Sequence, residues 1–150
     1  MITVETAHSI LERLNATPLK GAALRRRAME LLDELDTYNW SGIYRLEEDE
    51  LVLDEYVGAA TDHTRIPVGR GVCGTAVAEN QNQVIEDVRE LENYLACSIQ
   101  TRSEIVVLIK DDSRILGQID IDGHQVGAFD QSDEKLLESI SKILADKWTE

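Results

Sequence analysis

Two prolines, two cysteines, a single phenylalanine and only five lysines are spread over 150 residues. Pro18 and Pro67 stand alone, and no Gly/Ser-rich linker, repeat or low-complexity stretch divides the chain. A single domain over residues 1–150 is therefore expected. No apolar run reaches the roughly 18 residues that a membrane span needs. The N-terminal MITVETAHSI has neither the basic start nor the apolar stretch of a secretory signal, so a cytoplasmic protein without a membrane partner is expected. Cys73 and Cys97 form no CxxC pair. In a reducing compartment they read as buried thiols or as a redox pair, not as a permanent disulfide.

Positive charge is also scarce: 15 Lys and Arg face 29 Asp and Glu, a formal net charge of −14. Phosphate backbones would be repelled by most of such a surface, which argues against nucleic acid as a partner. Arg25, Arg26 and Arg27 make the only basic run. Among acidic neighbours it is expected to be a solvated helix face, with an anion patch as the less favoured alternative. What is abundant is apolar: 43% hydrophobic residues, in a chain long enough to bury roughly 68–70% of its extended surface without disulfide or metal staples.

The pattern predicts helices over 4–15 and 21–36, with Ile10, Leu11 and Leu14 inward in the first, and Leu24, Ala28, Leu31, Leu32 and Leu35 inward in the second. Pro18 breaks between them. From Tyr38 the period becomes two, placing Trp40, Gly42, Tyr44 and Leu46 on one face of a strand that turns at Glu47–Asp49 into a second strand over 51–57. A short strand at 65–68, a small-residue helix at 71–80 and a brief strand at 83–87 follow. Residues 89–102 lack periodicity and are expected to form a long loop, a class of segment that is usually functional or mobile. Strands over 105–109 and 115–122 make a second hairpin. A final helix carries Leu136, Leu137, Ile140, Ile143, Leu144 and Trp148 on one stripe, with Asp130, Asp133 and Glu134 at its positive end. The order predicts an α+β fold: an antiparallel sheet with the N- and C-terminal helices packed on one face and a ligand pocket under loops on the other.

Three motifs compete for chemistry. Gly69, Gly71 and Gly74 match the GxGxxG spacing, but repeated βαβ units are missing and the following helix is short, so a tight turn opening a helix is the better reading. Cys73, Cys97, His63 and His124 could be drawn as a zinc tetrad, but none stands in a close pair, and no metal site is expected. Asp120 and Asp122, two apart in one strand, share a face, while Ile119 and Ile121 share the other. With a three-residue turn at Asp111–Ser113, Glu104 falls opposite Asp120 on that face; a two-residue turn would point it away. Three clustered carboxylates repel, so at least one is expected to hold its proton more tightly than in water. The same cluster suits an ammonium group, to which Trp40 and Tyr44 would add aromatic faces.

NWSGIY at 39–44, RIPVGRGVCGTAVAENQNQVIEDV at 65–88, YLAC at 94–97, SEIVV at 103–107 and LGQIDID at 116–122 together resemble the free methionine-(R)-sulfoxide reductases, single-domain GAF proteins. The resemblance implies a closed pocket for one free amino acid. Trp40 and Tyr44 match its aromatic wall and Glu104, Asp120 and Asp122 its carboxylates. Cys97 matches the cysteine that attacks the sulfoxide sulfur, and Cys73 a second family cysteine. It further implies a general acid, Glu104 or Asp120, since the sulfoxide oxygen departs only when protonated, a sulfenic acid at Cys97, a thioredoxin-like reductant, no cofactor, and a homodimer. His63 stands where many members carry a resolving cysteine, and Ser98 where the family often has Asp. The His63 departure keeps a second reading open, a GAF module that senses a small amino acid without turning it over.

Overall fold

The computed structural model describes residues 1–91, 99–112 and 114–149. Its elements run in the order α1 (Val4–Ala16), α2 (Gly21–Leu32), β1 (Trp40–Glu47), β2 (Glu50–Val57), β3 (Arg65–Pro67), α3 (Gly71–Glu79), β4 (Gln83–Ile85), β5 (Ser103–Asp111), β6 (Arg114–Gly123) and α4 (Gln131–Asp146), with a 3₁₀ turn at Val88–Glu90. The strands form one antiparallel sheet ordered β3-β2-β1-β6-β5-β4. No helix among the described residues is long and apolar enough to cross a membrane.

Strand alternation divides the molecule into two layers. The odd-numbered side chains Ile43, Ile105, Val107, Ile109, Ile119 and Ile121 join Leu14, Leu24, Met29, Leu32, Leu137 and Ile140 in the main core, so α1, α2 and α4 cover one face. The even-numbered set points the other way, where Trp40, Tyr44, Val106 and Leu108 meet Val72, Cys73 and Ala76 of α3. The expected α+β architecture is the one observed, with α3 closing part of the second face.

The starts of the first and last helices have a visible cause. Thr3 accepts from the Thr6 amide at the head of α1, and Asp130 with Asp133 makes a reciprocal capping box at the head of α4. Asp133 also reaches into the core, where its carboxylate accepts a 2.6 Å hydrogen bond from the Tyr38 hydroxyl. Burial and this acidic neighbour push the Tyr38 phenol well above its ordinary value.

Two expectations about the helices need correction. α2 stops at Leu32 instead of 36, because Asp33 caps it and the chain turns; Leu35 still packs against the core from the turn. Arg25 is not on a solvated face. It is buried, ion-paired to Asp54 of β2, and its guanidinium lies 4.4 Å from the Trp148 ring centroid. Trp148 lies beyond the end of α4 and covers this pair, and Arg25 also donates to the Thr149 carbonyl. Arg26 and Arg27 do pair outward with Glu30. The charge run misled because one arginine in three faces inward at helical spacing, where the half-buried Asp54 carboxylate offsets its desolvation.

Candidate functional site

The second face of the sheet carries the acidic cluster, and strand register explains how. β5 and β6 join through a two-residue turn, Asp111 pairing with Arg114, whereas a three-residue turn was expected. A bulge follows: the register shifts between Ile109 and Lys110, which leaves Leu116 as an extra residue on β6. That shift restores the phase the short turn would have lost. Glu104 consequently pairs with Asp122, and Val106 with Asp120, so Glu104, Asp120 and Asp122 share one face. Across β1 the same face continues through Trp40, opposite Asp122, Gly42, opposite Asp120, and Tyr44, opposite Gln118.

All three carboxylates are withdrawn from water: Glu104 is 4% exposed, Asp120 1% and Asp122 1%. The Cys73 thiol, in the first turn of α3 and 5% exposed, donates to Glu104 Oε2 across 3.9 Å. One donor atom each from Cys73, Glu104 and Asp120 lies within 4.8 Å of the others. Ile66, Arg70, Gly71 and Val72 complete the walls of a cavity of about 10 Å³ at this cluster, space for about one water molecule. Burial pushes the Asp120 carboxyl above its ordinary value, and contacts with Glu104 and Cys73 offset this only in part. A carboxyl raised this way holds a proton that it can donate.

The raised Asp120 pKa also sets a pH dependence of folding. Its contribution is fully present below the unfolded value near 3.8 and is lost as pH rises through the higher folded value, because ionising a buried carboxyl costs free energy. Asp120→Asn is therefore expected to melt above wild type at pH 8, by at least roughly 2–4 °C. The gap should close toward pH 4, and differential scanning calorimetry across that range checks it.

Local structure holds the cluster in place. α3 begins at Gly71 with φ +67, a backbone region open to glycine at little cost. A Cβ on Gly74 would come 2.6 Å from the Pro67 carbonyl. The three glycines thus let α3 dock tightly, as the tight-turn reading of GRGVCG requires. Gln118 Nε2 donates to the Cys73 carbonyl at 3.0 Å, tying the thiol-bearing turn to the central strand β6. Gln118 was missed in the sequence although its even phase with Asp120 and Asp122 was a usable signal.

The aromatic wall is built by β1 and the loop after β2. Trp40 stacks on Tyr56 with centroids 5.6 Å apart and planes 20° apart. Gly42 makes room, since a Cβ there would meet the Trp40 ring at 2.3 Å. Tyr56 was not foreseen because a register irregularity between Gly42 and Tyr44 interrupts simple alternation. Trp40 Nε1 donates to the Ala59 carbonyl at 2.9 Å, and the Tyr44 hydroxyl donates to the His63 carbonyl at 2.8 Å. His63 is thus a half-buried loop residue bordering the aromatic wall, while His124 is an exposed loop residue directly after β6.

Cys97 and Ser98 lie outside the described residues. The chain on either side of them is anchored. Leu91 packs against the Trp40–Cys73 cluster, the Val88 amide donates to the Arg102 carbonyl at 2.7 Å, and Arg102 pairs with Asp87 at 3.0 Å. That guanidinium holds the Asp87 carboxyl below the usual carboxylate range.

Comparison with known proteins follows the same lines. The GAF domain profile matches residues 22–146. A free methionine-R-sulfoxide reductase of Escherichia coli strain K12 is 43% identical over 128 residues, 83% of this chain and 77% of that one. One of the same name from Saccharomyces cerevisiae is 38% identical, covering 87% of this chain and 70% of its own. The X-ray structure of free methionine-R-sulfoxide reductase from Neisseria meningitidis in complex with its substrate superposes with a TM-score of 0.87 at 31% identity, over 99% of this chain and 92% of that one.

Proposed function

Given that the chain belongs to the free methionine-(R)-sulfoxide reductase family of GAF domains, we propose that it reduces free methionine-(R)-sulfoxide to methionine. The observation that carries the reading is the buried Cys73–Glu104–Asp120 cluster. It unites an unusually basic carboxyl, a thiol and further negative charge on the face that also holds two aromatic rings.

In the proposed site Glu104 and Asp122 hold the substrate's ammonium group, with Trp40 and Tyr44 lining its path. Asp120, its proton retained by burial, donates that proton to the sulfoxide oxygen. The Cys97 thiolate attacks sulfur; methionine leaves, and the oxygen remains on Cys97 as a sulfenic acid. Cys73 then condenses with it, releasing water and forming a disulfide that a thioredoxin-like dithiol opens by exchange. Cys73 takes this role because the position that many relatives fill with a cysteine is His63, and Cys73 is the only other thiol in the chain. The carboxylates and aromatic rings on this face suit the ammonium end of a free amino acid, and a homodimer in a reducing cytoplasm fits the family pattern.

Incubation with dithiothreitol and each sulfoxide of free methionine tests the reading. Methionine should appear from the R epimer alone, followed by chromatography of the free amino acid. Tight binding without release from either epimer would instead identify a sensor.

A further inference from the structure

Of the residues that the sequence offered for zinc, His63 and His124 sit at separate loops. A different set is brought together. Cys73 Sγ and one oxygen each from Glu104 and Asp120 lie within 4.8 Å of one another. Zinc holds thiolate sulfur at about 2.3 Å and carboxylate oxygen at about 2.0–2.2 Å, so two of its donors lie within about 4.5 Å of each other. In a tetrahedral arrangement those bond lengths set the donors about 3.4–3.7 Å apart, so side-chain shifts of up to about 1 Å would bring all three onto one ion.

A second observation points inward. Both oxygens of Asp120 are buried with no hydrogen-bond donor outside the cluster among the described residues. Buried carboxylate oxygens without such donors are unfavourable unless a cation or proton serves them. The cavity there, about 10 Å³, has room for one small sphere. One thiolate, two carboxylates and a water form a donor set that a borderline-soft divalent ion takes up readily, while a hard ion such as magnesium prefers oxygen alone.

We infer that the reduced protein binds one zinc-like divalent cation through Cys73, Glu104 and Asp120. Binding replaces the thiol proton of Cys73 and the carboxyl proton that burial keeps on Asp120, and both leave to solvent; no electron moves. The ion occupies the acidic niche assigned above to substrate, so ion and substrate compete for the reduced protein. This inference shares residues with the proposed reductase activity but does not require turnover, so the two can fail separately.

Cobalt(II), a spectroscopic substitute for zinc, reports directly on the sulfur. Titrated into reduced full-length protein, it should produce a thiolate-to-cobalt charge-transfer band saturating at one equivalent. Cys97→Ser should keep the band, and Cys73→Ser should lose it, with circular dichroism confirming that both variants are folded. Glu104→Gln should weaken affinity by more than about tenfold while keeping the sulfur signature. Zinc should bleach the band by displacement, and magnesium at equal concentration should not. A wild-type protein with no band, or a band that survives in Cys73→Ser and disappears in Cys97→Ser, overturns the assignment, whatever the methionine assay shows.

Discussion

Cys97→Ser is expected to lose methionine release by more than about a thousandfold with any reductant, while Cys73→Ser keeps most turnover with a small dithiol and loses it with a thioredoxin-type protein. The asymmetry follows from the steps. Serine at 97 cannot supply the thiolate that attacks sulfur, and no external thiol is held in its place. Removing Cys73 leaves the sulfenic acid on Cys97 intact, where a small dithiol can reduce it directly. A thioredoxin-type reductant requires a disulfide to attack. Mass spectrometry after one turnover should find a Cys73–Cys97 disulfide in wild type and a trapped sulfenic acid in Cys73→Ser. Equal loss of dithiol-supported activity in both variants would instead place Cys73 in the attack itself.

Asp120→Asn should lower kcat by roughly 10²–10⁴, the range for removing a positioned proton donor, and erase the basic limb of the pH–rate profile. Glu104→Gln and Asp122→Asn should act mainly through KM, since their charge is assigned to the ammonium group. The division rests on environment. Asp120 is the carboxyl whose burial holds its proton, whereas Glu104 accepts from the Cys73 thiol. Should Glu104→Gln carry the kcat loss and Asp120→Asn only a raised KM, the two roles exchange. The same Asp120→Asn variant that is expected to be slow is also expected to be more stable at alkaline pH, because the carboxyl assigned to the chemistry is costly to bury.

Much of this site can be read along the chain, and where it cannot, the reason is local. Even spacing of Asp120 and Asp122 announces their common face, and the apolar alternation of Ile119 and Ile121 says which face is core. Glu104 is harder. Its placement depends on the parity of the β5–β6 connection, and turn length and bulge change parity together; only coordinates show that a short turn and an extra residue at Leu116 cancel. Arg25 is hidden for another reason. Its partners Asp54 and Trp148 are distant in sequence, so composition around the helix makes a buried cation look solvated. The thiol cluster needed the docking of α3, which the glycines permit but do not announce.

The two rings of the aromatic wall are also fasteners. Trp40 grips the Ala59 carbonyl and Tyr44 the His63 carbonyl, so any guest large enough to push either ring aside must also unhook this strap from the sheet. Each extra backbone atom on a ligand is then penalised twice, once in ring displacement and once in a broken latch. A methionine sulfoxide embedded in a peptide, the bulkier guest, is therefore expected to be penalised more than the lone amino acid.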